Sequence, residues 1–387
     1  MHRREFLKLS SAAPLVWLAP TAWGAARAEN ANWNRTLVLL ELNGGNDGLN
    51  TIVPYADPRY YALRPRLAIA RDAVLHLSDQ SGLNPALEAL MPAWQARELA
   101  IVQGVGYANP NRSHFRSIEI WETASNANET LNEGWLARLF SANPPPANYA
   151  AHGVVLGQGL GPLTGGQALV LNNPQQFLRQ AGQLTQTAHP AANPALTHLL
   201  AVRNDTRRAA GMLQEKLTGA ATPGVDFPQT RLGKQLEFAA TLIINRIPVA
   251  AIKASHGGFD THSNQRATHD RLLREMAEAL IAFREALRRH SLWDRTLLLT
   301  YSEFGRRAQE NGSLGTDHGT AAPHLLLGGR VRGGFYGHPP SLTALANGDL
   351  VHQVDFRRLY LTVARNWWGL RAEALDAKNL SPIDCLA

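Results

Sequence analysis

The sequence has a single cysteine in 387 residues, Cys385, which excludes an intramolecular disulfide framework and any thiolate-rich metal site. Charged residues make up only 18%, too few for a coiled coil or a disordered polyelectrolyte, while 45% hydrophobic residues suffice to bury a sizeable core. No basic block with interleaved aromatics is present, so nucleic acid is not an expected partner. Internal repeats at solenoid periods are absent, as are a G-x-S-x-G elbow and a phosphate-binding loop of the G-x-x-x-x-G-K-[ST] type. The apolar stretch from Ala12 to Trp23 is too short to cross a bilayer of about 30 Å and is broken by Pro14 and Pro20, so no stable membrane span is expected.

What is present begins with an export signal. Arg3 and Arg4 open a basic segment, the apolar stretch follows, and Ala26-Arg27-Ala28 has the small-x-small form of a cleavage site. Residues 1–28 therefore read as a secretory signal, with the mature chain starting near Glu29. The string RREFLK resembles the twin-arginine signal, with His2 where Ser or Thr is usual. That resemblance implies the Tat export machinery as a partner, passage in the folded state, and a periplasmic or secreted destination. Folding in the reducing cytoplasm agrees with the lack of disulfides. Loss of Arg3, Arg4, Lys8 and Arg27 with Glu5 removes four positive charges and one negative from +7, leaving an ordinary +4.

In the mature chain, apolar runs of strand length alternate with helical periodicity. Thr36–Leu42, Leu99–Gly104, Pro248–Ala254, Thr296–Tyr301 and His324–Leu327 read as strands. Helices are expected over Leu87–Arg97, in pieces of Ile118–Phe140, over 231–246 and over Val354–Trp368. Another is marked by Leu273, Met276, Leu280, Phe283 and Leu287, which fall on one face. The alternation predicts a three-layer α/β/α sandwich around a mostly parallel sheet. Residues 29–387 read as one domain, with 150–230 as an insertion or cap.

Ligands in open α/β sheets bind past the carboxyl ends of the strands. The loops so placed carry Asn43-Gly-Gly-Asn46-Asp47, Asn111-Arg112-Ser113-His114, Asp260-Thr-His262, Ser302-Glu303-Phe-Gly-Arg306 and Asp317-His318. Seven of the 14 histidines lie between His256 and His338, which draws attention to that half of the chain. Carboxylates and imidazoles without cysteine suit zinc, manganese or iron, and with more oxygens calcium or magnesium. Asp47, Asp260, His262, Glu303, Asp317 and His318 are the candidate ligands. His269, His290 and His324 are assigned to ordinary structural roles. Ser113 is the candidate nucleophile, activated by a metal or an adjacent base, and equally the N-cap of a helix burying Ile118 and Trp121. Arg112 beside it has the fork that grips phosphate or sulfate oxygens.

The strings LNGGNDGLNTIVPYADPRYYALRP, NRSHF, GWLAR, GFDTHSNQ, SEFGRR, NGSLGTDHG and GGFYG resemble, in order from about Thr36 to Leu370, the bacterial exported family DUF1501. The resemblance implies membership of the alkaline phosphatase-like superfamily of phosphatases and sulfatases. It implies one or two divalent ions, such as Zn, Mn or Ca, on Asp47, Asp260, His262, Glu303, Asp317 and His318. It further implies a Ser113 nucleophile, His114 as general acid, and Arg112 and Arg306 holding the transferred group of a small-molecule or polymer-borne anionic ester. Glu303-Phe304 stands where the superfamily has an Asp-His pair, and no sulfatase signature surrounds Ser113. The alternative expectation is a non-catalytic exported binding or assembly protein on a degenerate form of that scaffold.

Overall fold

The computed structural model describes residues 31–149, 151–171 and 194–387, so the expected signal over 1–28 lies outside the described residues. Its strands are β1 (Thr36–Asn43), β2 (Ile52–Val53), β3 (Leu75–His76), β4 (Gly82–Leu83), β5 (Leu99–Gly106), β6 (Gly153–Val155), β7 (Ala168–Val170), β8 (Ala251–Gly257), β9 (Thr296–Tyr301), β10 (Ala322–Gly328), β11 (Gly334–Tyr336) and β12 (Val354–Asp355). β2 to β4 form a small antiparallel sheet. The others make a nine-stranded sheet in the order β11-β5-β10-β9-β1-β8-β6-β7, with β12 also beside β5. Only β10 runs against its neighbours.

β1 shows why the fold takes this form. Residues Leu37 to Leu42 are all buried, as a strand covered on both faces requires. Val38, Leu40 and Leu42 face one core, with the helices Arg231–Ile244 and Gln265–Arg289. Leu37 and Leu39 face the other, with the helices His114–Thr123 and Trp135–Ala142 and the helical segment beginning at Arg357. The expected stripe Leu273, Met276, Leu280, Phe283, Leu287 lies wholly in the first core. The three-layer α/β/α arrangement with a mostly parallel sheet follows directly. Among the described residues no helix is long and apolar enough to cross a membrane.

Three expectations change in detail. The 150–230 stretch is not only a cap: its two short apolar segments become β6 and β7 and extend the main sheet beyond β8 in parallel register. Residues 172–193 of that stretch lie outside the described residues. Leu87–Arg97 divides into a tight 3₁₀ turn, Pro85–Leu90, and a short helix, Met91–Gln95, each with a proline in its first turn where no N–H is missed. At the C-terminal end Val354 and Asp355 pair with β5, and the helix begins only at Arg357.

One exception to apolar packing lies on the inner face. Lys253 of β8 is 2% exposed, and its Nζ lies 2.8 Å from Glu41 Oε2 of β1 and 3.7 Å from Glu122 Oε1. It also donates to the carbonyls of Gln158 at 3.0 Å and Gly159 at 3.3 Å. Burial pushes the Glu122 carboxyl up to about 7, against the pull of Lys253. Removing one partner of a buried pair strands the other charge, whereas replacing both with apolar groups costs little. Lys253→Met should therefore lose about 3–5 kcal/mol of stability, read from its urea midpoint. Glu41→Leu combined with Lys253→Met should recover most of that loss. A single variant as stable as the parent would remove the pair from the fold's energetics.

Candidate functional site

The carboxyl ends of β1, β5, β8 and β9 and the amino end of β10 lie along one edge of the sheet, because β10 alone is reversed. The loops at that edge approach closely. At Gly44, with φ +115°, a Cβ would lie 2.4 Å from the Asp260 amide nitrogen. A Cβ on Gly315 would lie 2.2 Å from the carbonyl carbon of His262. Only glycine permits either approach.

Four of the expected site residues meet there. The carboxylate of Asp260 has His262 Nε2 at 3.0 Å and His318 Nε2 at 3.2 Å from Oδ1, and His114 Nε2 at 3.4 Å from Oδ2. The Nε2 atoms of His262 and His318 are 2.9 Å apart. Ligand atoms of His114, Asp260 and His318 all lie within 4.8 Å of one another. His114 comes from the first turn of the helix after β5, Asp260 and His262 from the loop after β8, and His318 from the approach to β10.

Each ring also has an acceptor on its far side. His114 Nδ1 lies 2.9 Å from Glu303 Oε1, an acceptor. His318 Nδ1 lies 2.8 Å from the carbonyl oxygen of Arg112, also an acceptor. His262 Nδ1 faces Asp317 Oδ1 at 3.4 Å. In the tautomer that gives each Nδ1 the N–H, each Nε2 turns a lone pair inward toward the Asp260 carboxylate. Three imidazole lone pairs and a carboxylate converge with no donor from the chain between them, apart from the Arg306 contact to Asp260 Oδ1 at 2.6 Å. Such a set repels itself unless a cation or a proton is shared. Histidines backed by carboxylates and carbonyls are the usual surroundings of a metal. The residues present fit a divalent ion.

The electrostatics agree. The Glu303 hydrogen bond raises the His114 pKa over the opposing effect of burial. Burial lowers that of His318, against the Arg112 carbonyl and Asp260. For Asp260 burial works upward, but Arg306 and His318 prevail and hold its carboxyl at about 2. The Asn311 hydrogen bond is the main cause holding Asp317 below its ordinary value.

Other expected residues stand elsewhere. Asp47 is 0% exposed and outside the cluster: its Oδ2 accepts from Arg64 at 2.7 Å and from Gln265. Burial opposes its charge, and Arg64 and His269 more than compensate. Glu303 is 2% exposed, and its Oε1 also accepts the Gly44 amide at 2.8 Å, so it orients His114 from behind. Asp317 does the same for His262. Arg306, expected to hold substrate, is 1% exposed. Its donors are taken by the carbonyls of Gly44, Gly45, Phe259 and Thr316 and by Asp260, which leaves it a clamp rather than an anion grip.

Ser113 occupies the N-cap position with extended backbone, yet its hydroxyl makes no capping bond and is exposed. Arg112 is half-exposed and lies 3.3 Å from Asp349. Residues not anticipated are Arg64, Gln265 and Asn311. Asn311 donates to the His262 carbonyl at 2.9 Å and to Asp317 at 3.1 Å, and its place in an Asn-Gly-Ser turn is the one signal the sequence offers.

A family model described as "Protein of unknown function (DUF1501)" matches residues 91–377. Among solved structures the chain is similar to Ps i-CgsB at 11% identity, over 90% of this chain and 75% of that one, with a TM-score of 0.42. It is similar to PsFucS1 sulfatase from Pseudoalteromonas sp. at 11% identity, over 91% and 72%, with a TM-score of 0.38. A protein in the alkaline phosphatase superfamily from Vibrio parahaemolyticus aligns at 12% identity over 88% and 72%, with a TM-score of 0.36. No curated protein matches the sequence.

If the cluster holds a divalent ion, elemental analysis should find near-stoichiometric metal in the parent and little in Asp260→Ala or His318→Ala. Protons compete for the imidazole nitrogens, and the Glu303 hydrogen bond raises the pKa of His114, so uptake should fall as pH drops from neutral. Asp260, held at about 2, stays ionised throughout that range. A folded parent that takes up no added zinc, manganese or calcium would overturn the assignment.

Proposed function

This chain belongs to the DUF1501 family of proteins of unknown function, and we propose that it is a periplasmic or secreted metal-dependent hydrolase of phosphate or sulfate esters, on an alkaline phosphatase-like plan. One observation carries the reading: the Nε2 atoms of His114, His262 and His318 gathered around the Asp260 carboxylate. On this reading those four residues hold the ion, while Glu303 and Asp317 orient His114 and His262. A divalent ion held there supplies Lewis-acid polarisation of an ester oxygen and lowers the pKa of a nearby hydroxyl or water.

The chain's own contribution is position. Ser113 precedes His114, and its hydroxyl is free of the helix cap, so its Oγ is available to attack phosphorus or sulfur. Arg112, itself half-exposed, can turn its fork to the non-bridging oxygens of the transferred group by giving up its 3.3 Å contact with the buried Asp349, which Arg307 also approaches at 3.6 Å. The Arg112 main-chain carbonyl meanwhile holds the His318 ring from behind, 2.8 Å from Nδ1. Phe304 closes one wall, its ring 5.0 Å from that of His114 and 4.6 Å from that of His318.

The second reading, a binding protein on the same scaffold, is favoured by Phe304, an apolar ring where a further ligand histidine was expected from the resemblance.

Ser113→Ala should abolish hydrolysis of aryl phosphates or sulfates while the metal stays bound. Unchanged turnover would pass the nucleophile's role to water. Glu303→Gln keeps the size of the side chain but weakens the brace on His114, and should lower metal affinity about 10–100-fold. A parent that binds metal stoichiometrically yet turns over no ester with any added ion would transfer the case to the binding protein.

A further inference from the structure

The opposite edge of the sheet holds a second concentration of charge. Arg35 immediately precedes β1, Arg295 immediately precedes β9, and Arg330 follows the end of β10. Thr36 is in register with Thr296, which sets Arg35 and Arg295 side by side. Gly328 pairs with Leu297, which brings the turn carrying Arg330 to the same edge. The three arginines line one cleft of about 370 Å³, together with Asn32, Asn34 and Asp294. At about 3.3 Å per residue, the eight residues of β1 put this cleft roughly 25 Å from the metal-ligand cluster.

The arginines are arranged as donors awaiting an acceptor. Arg35 is fixed by one bond, from its Nη1 to the Trp367 carbonyl at 2.6 Å, and by stacking of its guanidinium 5.0 Å from the Trp367 ring centroid. Its remaining N–H groups have no partner among the described residues. The side chains of Arg295 and Arg330 form no hydrogen bond or ion pair among the described residues. Asp294, the one acid in the lining, pairs with none of the three. Burial, and then Arg330, lower the pKa of Arg35, so the two cations feel each other. Strand register holds three positive groups around one concavity against their mutual repulsion, and a cleft in which cations outnumber the single acid three to one concentrates anions. Guanidinium forks match the geometry of tetrahedral oxyanions.

We propose that this cleft binds a sulfate or phosphate group, at a site separate from the candidate active site. It stands whether or not the hydrolase reading holds. The group can be a free oxyanion or one borne on an anionic polymer, and the cleft has room for the atoms that carry it.

The test is calorimetric titration of the intact protein with sodium sulfate, sodium phosphate and dextran sulfate, at ionic strength matched with chloride. The parent is set beside Arg295→Gln/Arg330→Gln and, to separate the candidate active site, beside His318→Ala. Both arginines of the double variant are exposed and outside the catalytic machinery, so its melting temperature without oxyanion and its ester turnover should equal the parent's. Saturable binding of sulfate or phosphate that survives His318→Ala and weakens at least tenfold in the double variant identifies a free-oxyanion site. The same pattern with dextran sulfate alone identifies a polymer-borne group. Equal binding by parent and double variant, or no saturable binding of any of the three probes, overturns the proposal.

Discussion

Arg306 presents a planar guanidinium to three stretches of chain at once. Its Nε donates to the Gly45 carbonyl at 2.7 Å and its Nη1 to that of Thr316 at 2.9 Å. Its Nη2 reaches the carbonyls of Gly44 and Phe259 and the Asp260 carboxylate. A cation buried to 1% exposure costs several kcal/mol unless it is compensated, and here carbonyl dipoles and one carboxylate supply the compensation. The chain segments after β1, β8 and β9 and before β10 are thereby fixed against one another. The orientation of Asp260, on which the three histidines converge, depends on that fixing. A lysine ammonium, with three donors around one atom, could not serve the same set of acceptors.

A second level of order sits behind the ligands. Each ring is oriented by the acceptor outside it: Glu303 for His114, the Arg112 carbonyl for His318 and Asp317 for His262. Two of those acceptors, and the His318 backbone, are themselves held. Glu303 accepts the Gly44 amide, His318 is bridged in the backbone to Arg306, and Asp317 accepts from Asn311. The acidity of the pocket is thus decided by residues that need never touch a substrate. Their loss would act through imidazole orientation and basicity rather than through a missing contact.

The sequence carries the sheet clearly and the site only in part. Continuous apolar runs such as Leu37–Leu42 have one stable environment, a strand covered on both faces, so β1, β5 and β9 are legible from residue type alone. β6 and β7 are not, because three apolar residues flanked by glycine have no period to read, and only pairing with β8 defines them. In the site, the rule that ligands gather past strand ends locates Asp260, His262, His114 and His318. It cannot say which way a side chain turns. Asp47 lies on the right loop but meets Arg64, seventeen positions on in the same string, whose side chain nothing in the sequence ties to Asp47. Glu303 and Arg306 also lie where expected, yet burial makes one a brace and the other a clamp.

The same burial bears on how many ions the site would hold. The resemblance allowed one or two, with Asp47 and a histidine at position 304 as natural contributors to a second. Asp47 is spent on Arg64 and Gln265, and position 304 is Phe304, buried against the rings of His114 and His318. Among the described residues a single group of His and Asp side chains has its ligand atoms drawn together. A second divalent ion beside it would face an aromatic ring and the Arg306 guanidinium, neither of which offers a lone pair. On the proposed reading, one ion on His114, Asp260, His262 and His318 accounts for every converging acceptor. Any further neutralisation of charge in the transition state then falls to Arg112, the half-exposed cation at the rim of the cluster.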